Sequence, residues 1–184
     1  LIYTKAWDEE NSIKIPIAEG ITPAENTTLG IVSQLTFFKK ITWSTDVGVS
    51  GYTSDVNAKD LTGTISLDSE FLKKLFLLKR STQVGYAANS SLRFSSRFAS
   101  LQVQYRLIST DYKSMGAYFF NNDVQEILFS PSFSFWQGRI NLSGSYGIQQ
   151  DNVSKTKATQ TTRNIGSLNL SVQPSTKFGM MMTY

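Results

Sequence analysis

Ile140-Asn141-Leu142-Ser143-Gly144-Ser145-Tyr146-Gly147-Ile148-Gln149 alternates between two kinds of residue without a break. Successive side chains on a strand point to opposite faces. Ile140, Leu142, Gly144, Tyr146 and Ile148 therefore form one face, and Asn141, Ser143, Ser145, Gly147 and Gln149 the other. Earlier in the chain, Ile41, Trp43, Thr45, Val47 and Val49 oppose Thr42, Ser44, Asp46, Gly48 and Ser50 in the same way. A water-washed strand face normally carries many Lys and Glu. Here the polar face is mostly Ser, Thr, Asn, Gln and Gly, which suits the packed lumen of a barrel whose apolar face meets lipid.

Working outward, alternation marks eight strands, at 28–38, 41–52, 82–95, 98–108, 124–135, 140–149, 163–173 and 178–184. Most run about 10 to 14 residues, near the length that a tilted strand needs to cross a bilayer and longer than the usual globular strand. Their connections alternate in length. Lys39-Lys40, Ser96-Arg97, 136–139 and 174–177 are tight turns, whereas 53–81, 109–123 and 150–162 are long. Short turns at one rim and long loops at the other are the layout of bacterial outer-membrane barrels, the short ones periplasmic. The fold expected for 28–184 is all-β, an antiparallel transmembrane β-barrel. Residues 1–27 read as an extension or loop: Pro16 would confine a strand at 13–17 to an edge, and Gly20, Pro23 and Asn26 signal loop.

The aromatics fit this layout. Phe37, Phe38, Trp43, Phe94, Phe98, Phe133, Phe135, Trp136 and Phe178 flank the short turns, and Tyr52, Tyr146 and Tyr184 fall toward the opposite strand ends. Amphipathic rings prefer the headgroup level, so two membrane girdles are expected. Each short turn also carries a base (Lys39 and Lys40, Arg97, Arg139, Lys177), placed to meet lipid headgroups. A soluble β-sandwich, with the apolar face as its core, is the competing reading.

The chain of 184 residues has a net charge of +4 and neither Cys nor His. This excludes disulfides, thiolate or imidazole metal sites, and Ser-His-Asp or Cys-His catalysis within the segment. No stretch of about 18 apolar residues is present for a transmembrane helix. A slightly negative mean hydropathy does not argue against a membrane barrel, which hides its apolar residues at every second position. The bases are scattered, so nucleic acid is not an expected partner. No signal peptide is visible at Leu1 and there is no initiator Met, so a mature chain or one cut from a longer polypeptide is expected. With eight strands and periplasmic tight turns, both termini would lie outside. Either one strand is miscounted or the chain is an internal piece of a larger barrel; the piece is the favoured reading, since missing strands would cover two open edges.

Lumen-lining residues are expected to be Asp46, Arg93, Gln102, Gln104, Arg106, Asn141, Gln149 and Asn169, with Arg93, Arg106 and Asp46 as candidates to pair inside the barrel. Asp46 and Glu126 look isolated and form no acid–base pair. The loop 111–123 is the most distinctive local sequence. Its Tyr112, Tyr118, Phe119, Asn121, Asn122 and Asp123 could stack a sugar and bond its hydroxyls, or the loop could fold onto the barrel wall and cap its mouth. Asp111, Asp123 and the Asn carbonyls could also hold Ca²⁺, but without EF-hand spacing. Phe71, Leu72, Leu75, Phe76 and Lys79 lie at helical spacing in 69–80, with Ser69 as N-cap, and that helix would lie on lipid, dock a partner or cover the rim. Sequons open at Asn26, Asn89 and Asn141 but are short enough to arise by chance, and there is no Gly-rich phosphate loop.

The run 111–125, DYKSMGAYFFNNDVQ, together with Ser130-Pro131-Ser132-Phe133-Ser134-Phe135, Leu142-Ser143-Gly144-Ser145 and Gly147-Ile148-Gln149-Gln150-Asp151-Asn152, resembles uncharacterised outer-membrane β-barrel proteins of Bacteroidota. The likeness covers roughly 82–184 and departs from the family pattern at Gln150, where that pattern has a basic residue. It implies a larger outer-membrane barrel and no particular reaction.

The expected function is that of a pore, or of a structural subunit of an envelope transport or secretion complex, in the bacterial outer membrane. No enzymatic activity and no cofactor are expected. Its partners would be outer-membrane lipid and other outer-membrane or periplasmic proteins. A surface-exposed soluble β-domain binding glycan through 111–123 is the alternative. An outer-membrane lipid hydrolase is disfavoured by the lack of His.

Overall fold

The computed structural model describes residues 1–9, 22–61, 76, 78–116 and 121–184. Its strands are β1 (Ile2–Trp7), β2 (Glu25–Phe37), β3 (Ile41–Thr53), β4 (Thr82–Ser95), β5 (Ala99–Ile108), β6 (Val124–Phe135), β7 (Ile140–Asp151), β8 (Thr162–Ser175) and β9 (Phe178–Thr183). All nine join one antiparallel sheet in sequence order, each strand beside the next, and no helix occurs among the described residues. The all-β expectation holds, and the strand bounds differ from the sequence reading by a few residues at most. β4 and β6 coincide with it. β8 runs on through Pro174, where the ladder with β9 shifts register between Val172 and Ser175. A residue with no N–H is tolerated there because the ladder is already interrupted.

One expectation needs correction. The extension 1–27 contains a ninth strand, β1, which pairs with β2 from Ile2↔Gly30 to Trp7↔Glu25. Lys5 and Glu25 form an ion pair at 3.1 Å, and the Thr4 and Thr28 hydroxyls are bonded to each other. Apolar Ile2 and Tyr3 stand side by side, as do Ala6 and Trp7, so period-two alternation does not reveal this strand. An odd strand count also removes the premise that both ends of the run lie on the long-loop side. In addition, the described sheet is not closed into a barrel: β1 and β9 stand at opposite ends of its order. β1 reaches only Gly30 along β2, and β9, with Tyr184, only Leu168 along β8. Residues 32–37 and 162–167 thus have no outer neighbour among the described residues.

The tight turns carry unusual backbone. Phe38 and Lys39 (φ 51° and 56°) and Trp136 and Gln137 (φ 50° and 55°) occupy the left-handed region, closed by Lys40 N–H to Phe37 O and Gly138 N–H to Phe135 O. Two successive positive φ values match the twist of paired strands, but Asn-Gly is the sequence that ordinarily supplies them. Aromatic rings at such positions carry a conformational cost, and Phe38 projects with 89% of its surface exposed.

Contact density divides the chain into two units. The first comprises Leu1–Ile31, Val47–Ala87 and Ile108–Asn122, and the second Val32–Asp46, Ala88–Leu107 and Asp123–Tyr184. In the second unit, register assigns the faces. Phe135, Ile140, Val172 and Met180 line up across β6–β9, as do Phe133, Leu142, Leu170 and Met182. The opposite face carries Ser132, Ser143, Asn169 and Thr183. In the first unit, the segment after β5 lies on the polar side as a strap. A Cβ on Gly85 would stand 2.2 Å from the Tyr112 backbone N, and one on Gly48 3.4 Å from the Tyr112 hydroxyl. Gly85 is the seat of the strap, since any side chain there would displace its backbone.

Burial is inverted relative to a soluble domain. Among the described residues only Ala24, Phe76 and Val124 are buried hydrophobics, whereas Asn26, Thr27, Ser50, Thr53, Ser109, Asp123 and Asn152 are buried polar groups. Leu35, Phe37, Trp43, Leu92, Phe94, Val103, Tyr105, Ile127, Phe129, Phe133, Phe135, Tyr146 and Ile148 are all exposed. Phe76, the one described residue of 70–77, abuts Gly51, where a Cβ would stand 2.5 Å from its ring. Most of the expected helix at 69–80 lies outside the described residues, while Lys79 near its end forms a β-bridge with Asp60. Gly85→Ala should therefore release the strap at a cost of about 1–3 kcal/mol, with new proteolytic cleavage in 109–116. Gly179→Ala, whose added Cβ meets atoms no nearer than 3.8 Å, should leave that region protected. Equal cleavage of the two variants would refute the seat.

Candidate functional site

The strap is held by one carboxamide. Asn26, on β2 and 3% exposed, donates from Nδ2 to Ser50 Oγ at 2.9 Å, to Gly51 O at 3.2 Å and to Lys113 O at 3.3 Å. Its Oδ1 accepts from Met115 N at 3.1 Å. Ser50, fully buried, also donates to Lys113 O. Ser109 ties the start of the strap to β4: its Oγ accepts from Tyr86 N and its own N–H donates to Tyr86 O, each at 2.9 Å. The Lys113 ammonium lies 4.8 Å over the Tyr52 ring. Buried polar groups are tolerated because each finds partners, and together they fix where the strap lies.

In its described residues 111–116, the loop is folded onto the sheet. Tyr112 is seated against Gly48 and Gly85, so its ring is not a free stacking platform. Tyr118 and Phe119 lie outside the described residues. Asn121 is exposed, and Asn122 donates to Thr110 O at 2.8 Å.

In the second unit, Asp123 is 2% exposed with φ 58° and serves a different loop. Its Oδ1 accepts from Val153 N at 2.8 Å, and its Oδ2 pairs with the Lys157 ammonium. Asn152, also left-handed, donates to Lys157 O at 2.9 Å and Thr159 O at 3.2 Å and accepts from Lys157 N at 2.9 Å. With its carboxylate so engaged, Asp123 fastens 152–159. The described residues hold no group of three or more His, Cys, Asp or Glu placed to bind a metal ion.

The polar face of the second unit carries the lumen candidates in a row. Arg106 Nη2 donates to Glu126 Oε2 at 2.9 Å, and Gln149 Nε2 donates to the same oxygen at 2.9 Å. Register places Arg163 opposite Gln149. Gln104 donates to Asn89 at 2.8 Å. Arg93 Nε and Nη2 both donate to Gln102 Oε1, at 3.1 and 2.5 Å. The expected pairing of Arg93 and Arg106 with Asp46 does not occur: Arg106 takes Glu126, across the neighbouring strand, and Arg93 a neutral amide. Glu126, which looked isolated, sits between two partners because cross-strand register joins residues far apart in sequence. Asn169 faces Ser143 and Thr183 across the ladders. Asn141 donates to Gly138 O at 2.8 Å and caps a tight turn, so it stands at the rim. The girdle candidates Phe37, Trp43, Phe98, Phe135, Trp136 and Phe178 are all exposed, with Arg97 5.5 Å over Phe98 and Arg139 5.3 Å over Trp136.

Several site residues escaped sequence reading. Asn26 lay in a stretch resembling loop, and Asn152 and Lys157 in a connection of no pattern. Gly48 and Gly85 on the polar face were the available signal, since a glycine inside a strand marks close backbone approach. No protein-family model, curated protein or solved structure matches this chain.

The Asp123 hydrogen bond raises the Lys157 pKa above its ordinary 10.5, with the Asp123 and Asp151 charges adding to it against partial desolvation. A raised lysine stabilises the fold fully below that ordinary value and loses its effect as pH climbs through the raised one. The loop should keep its protection from proteolysis below the ordinary lysine value and lose it as pH climbs through the raised one, and Lys157→Met should open it already at about pH 9. Asn26→Ala, which strips partners from several buried groups, should cost roughly 2–3 kcal/mol in denaturant unfolding. A loss under about 0.5 kcal/mol would mean that the carboxamide does not hold the strap.

Proposed function

We infer that this chain is part of a bacterial outer-membrane β-barrel. It acts there as a pore or as a structural subunit of an envelope transport or secretion complex. The observation that carries this reading is the inverted burial: a wide apolar face left exposed and buried groups that are mainly polar. In a soluble sandwich the apolar face would be the core, about 10 Å from a second sheet. Lipid is the solvent in which an uncovered face of Ile, Leu, Phe and Tyr is stable. β2, β3, β4, β6, β7 and β8, at 12 to 14 residues, exceed the roughly 9–11 that a tilted strand needs to span a bilayer.

Further support comes from the rim. Phe38 and Trp136 hold left-handed backbone with their rings projecting, and bases at Arg97 and Arg139 cover neighbouring rings. Headgroup-level anchoring gives those rings a use that offsets the strain. The half-covered edges at 32–37 and 162–167 fit a sheet that closes with further strands, because closure removes unpaired backbone groups. The resemblance to outer-membrane β-barrel proteins of Bacteroidota agrees with this. Glycan binding through 111–123 has less support, since Tyr112 and Asp123 serve internal contacts.

The native polypeptide should fractionate with the outer membrane and shift on a denaturing gel when boiled. In bilayers, Phe129→Arg at mid-strand should cost about 2–4 kcal/mol and Phe37→Arg beside the tight turn no more than about 1. A soluble, unshifted protein, or equal costs at the two positions, would sink the reading.

A further inference from the structure

The polar face of β2–β5 has a pocket of about 310 Å³ lined by Gln34, Thr42, Ser44, Ser91 and Arg93. Every lining residue is polar, with three hydroxyls, one amide and one guanidinium, and none is a carboxylate. Gln102 receives two of the five guanidinium N–H groups on a single oxygen, which orients the fork and leaves three donors. That partner is neutral, and Arg93 forms no ion pair among the described residues. Arg106, on the same face, has its charge met by Glu126. Arg93 is thus an oriented cation in a hydroxyl-lined recess.

We propose that this pocket binds one acidic sugar residue of the uronate type, a hydroxylated body with a single carboxylate. The carboxylate takes the free edge of the Arg93 fork, where planar geometry matches two oxygens. Ring hydroxyls exchange hydrogen bonds with Thr42, Ser44, Ser91 and Gln34. No aromatic or aliphatic residue is among these five, which argues against a nucleobase or an acyl chain. A single cation suits a monoanion better than a phosphate dianion. The volume lies at the lower end of ligand pockets, room for one sugar rather than a chain. Asp46, the next residue on this face of β3 beyond Ser44, is the acid nearest along that strand and weakens the hold on an anion. The site is therefore one for transient binding. Since it lies on the polar face, it does not depend on what covers the apolar one.

Calorimetry or saturation-transfer NMR on the detergent-solubilised full chain, with D-glucuronate, D-glucose and inorganic sulfate as probes, tests this. Glucuronate should bind at millimolar concentration, at least tenfold tighter than glucose, and its preference should shrink as salt rises. Arg93→Gln should abolish that preference without changing glucose binding or the boiling-dependent gel shift, and Asp46→Asn should tighten glucuronate. Several results would overturn the proposal: no glucuronate binding at about 50 mM, no preference over glucose in the wild-type chain, or undiminished glucuronate binding by a folded Arg93→Gln variant. Sulfate binding as tightly as glucuronate would reduce the pocket to a bare anion site and equally overturn the sugar assignment. The wild-type comparisons decide the matter even if the variant does not fold.

Discussion

A carboxamide that is 3% exposed must find a partner for every donor and acceptor or destabilise the protein around it. Asn26 does so by bridging β3 and the strap after β5, and the strap can come within reach only because Gly85 presents no side chain. The arrangement is mutually dependent. Without Gly85 the backbone of Tyr112 could not approach. Without Asn26 and Ser50, the half-buried carbonyl of Lys113 and amide of Met115 would lose these partners.

The second unit applies the same requirement to charge. Arg106 and Gln149 converge on Glu126, and Lys157 and Val153 on Asp123, so carboxylates that would be costly alone are met from two sides. Polar contacts are the internal glue on this face, because hardly any apolar side chain is buried to contribute the usual hydrophobic term. The apolar residues stand on the other face in aligned cross-strand rows, where they meet whatever solvent the sheet is built for. In lipid such rows are stable, whereas in water they would drive association.

Much of the fold was legible because a strand has a period of two and these strands are long. β4 and β6 were readable to the residue, and the face of each lumen candidate followed from parity alone. β1 was not legible, since Ile2 and Tyr3 break the alternation and its place depends on pairing with β2 rather than on its own pattern. The partners of Arg93, Arg106 and Glu126 were equally hidden. Parity places a side chain on a face, but only the register of neighbouring strands says what stands beside it.

The amino-acid sequence by itself determined a run of long two-faced strands, which face of each strand after β1 is polar, and where the tight aromatic turns fall. These are local properties, set by alternation and turn chemistry within about ten residues. Tertiary structure alone decided that Asn26 clamps the strap, that Asp123 fastens 152–159, that Glu126 joins Arg106 to Gln149, and that Arg93 faces a hydroxyl-lined recess. Each of these brings together residues distant along the chain, through cross-strand register or the path of a loop. Such proximity is a consequence of the whole hydrogen-bonded ladder, and no single segment encodes it.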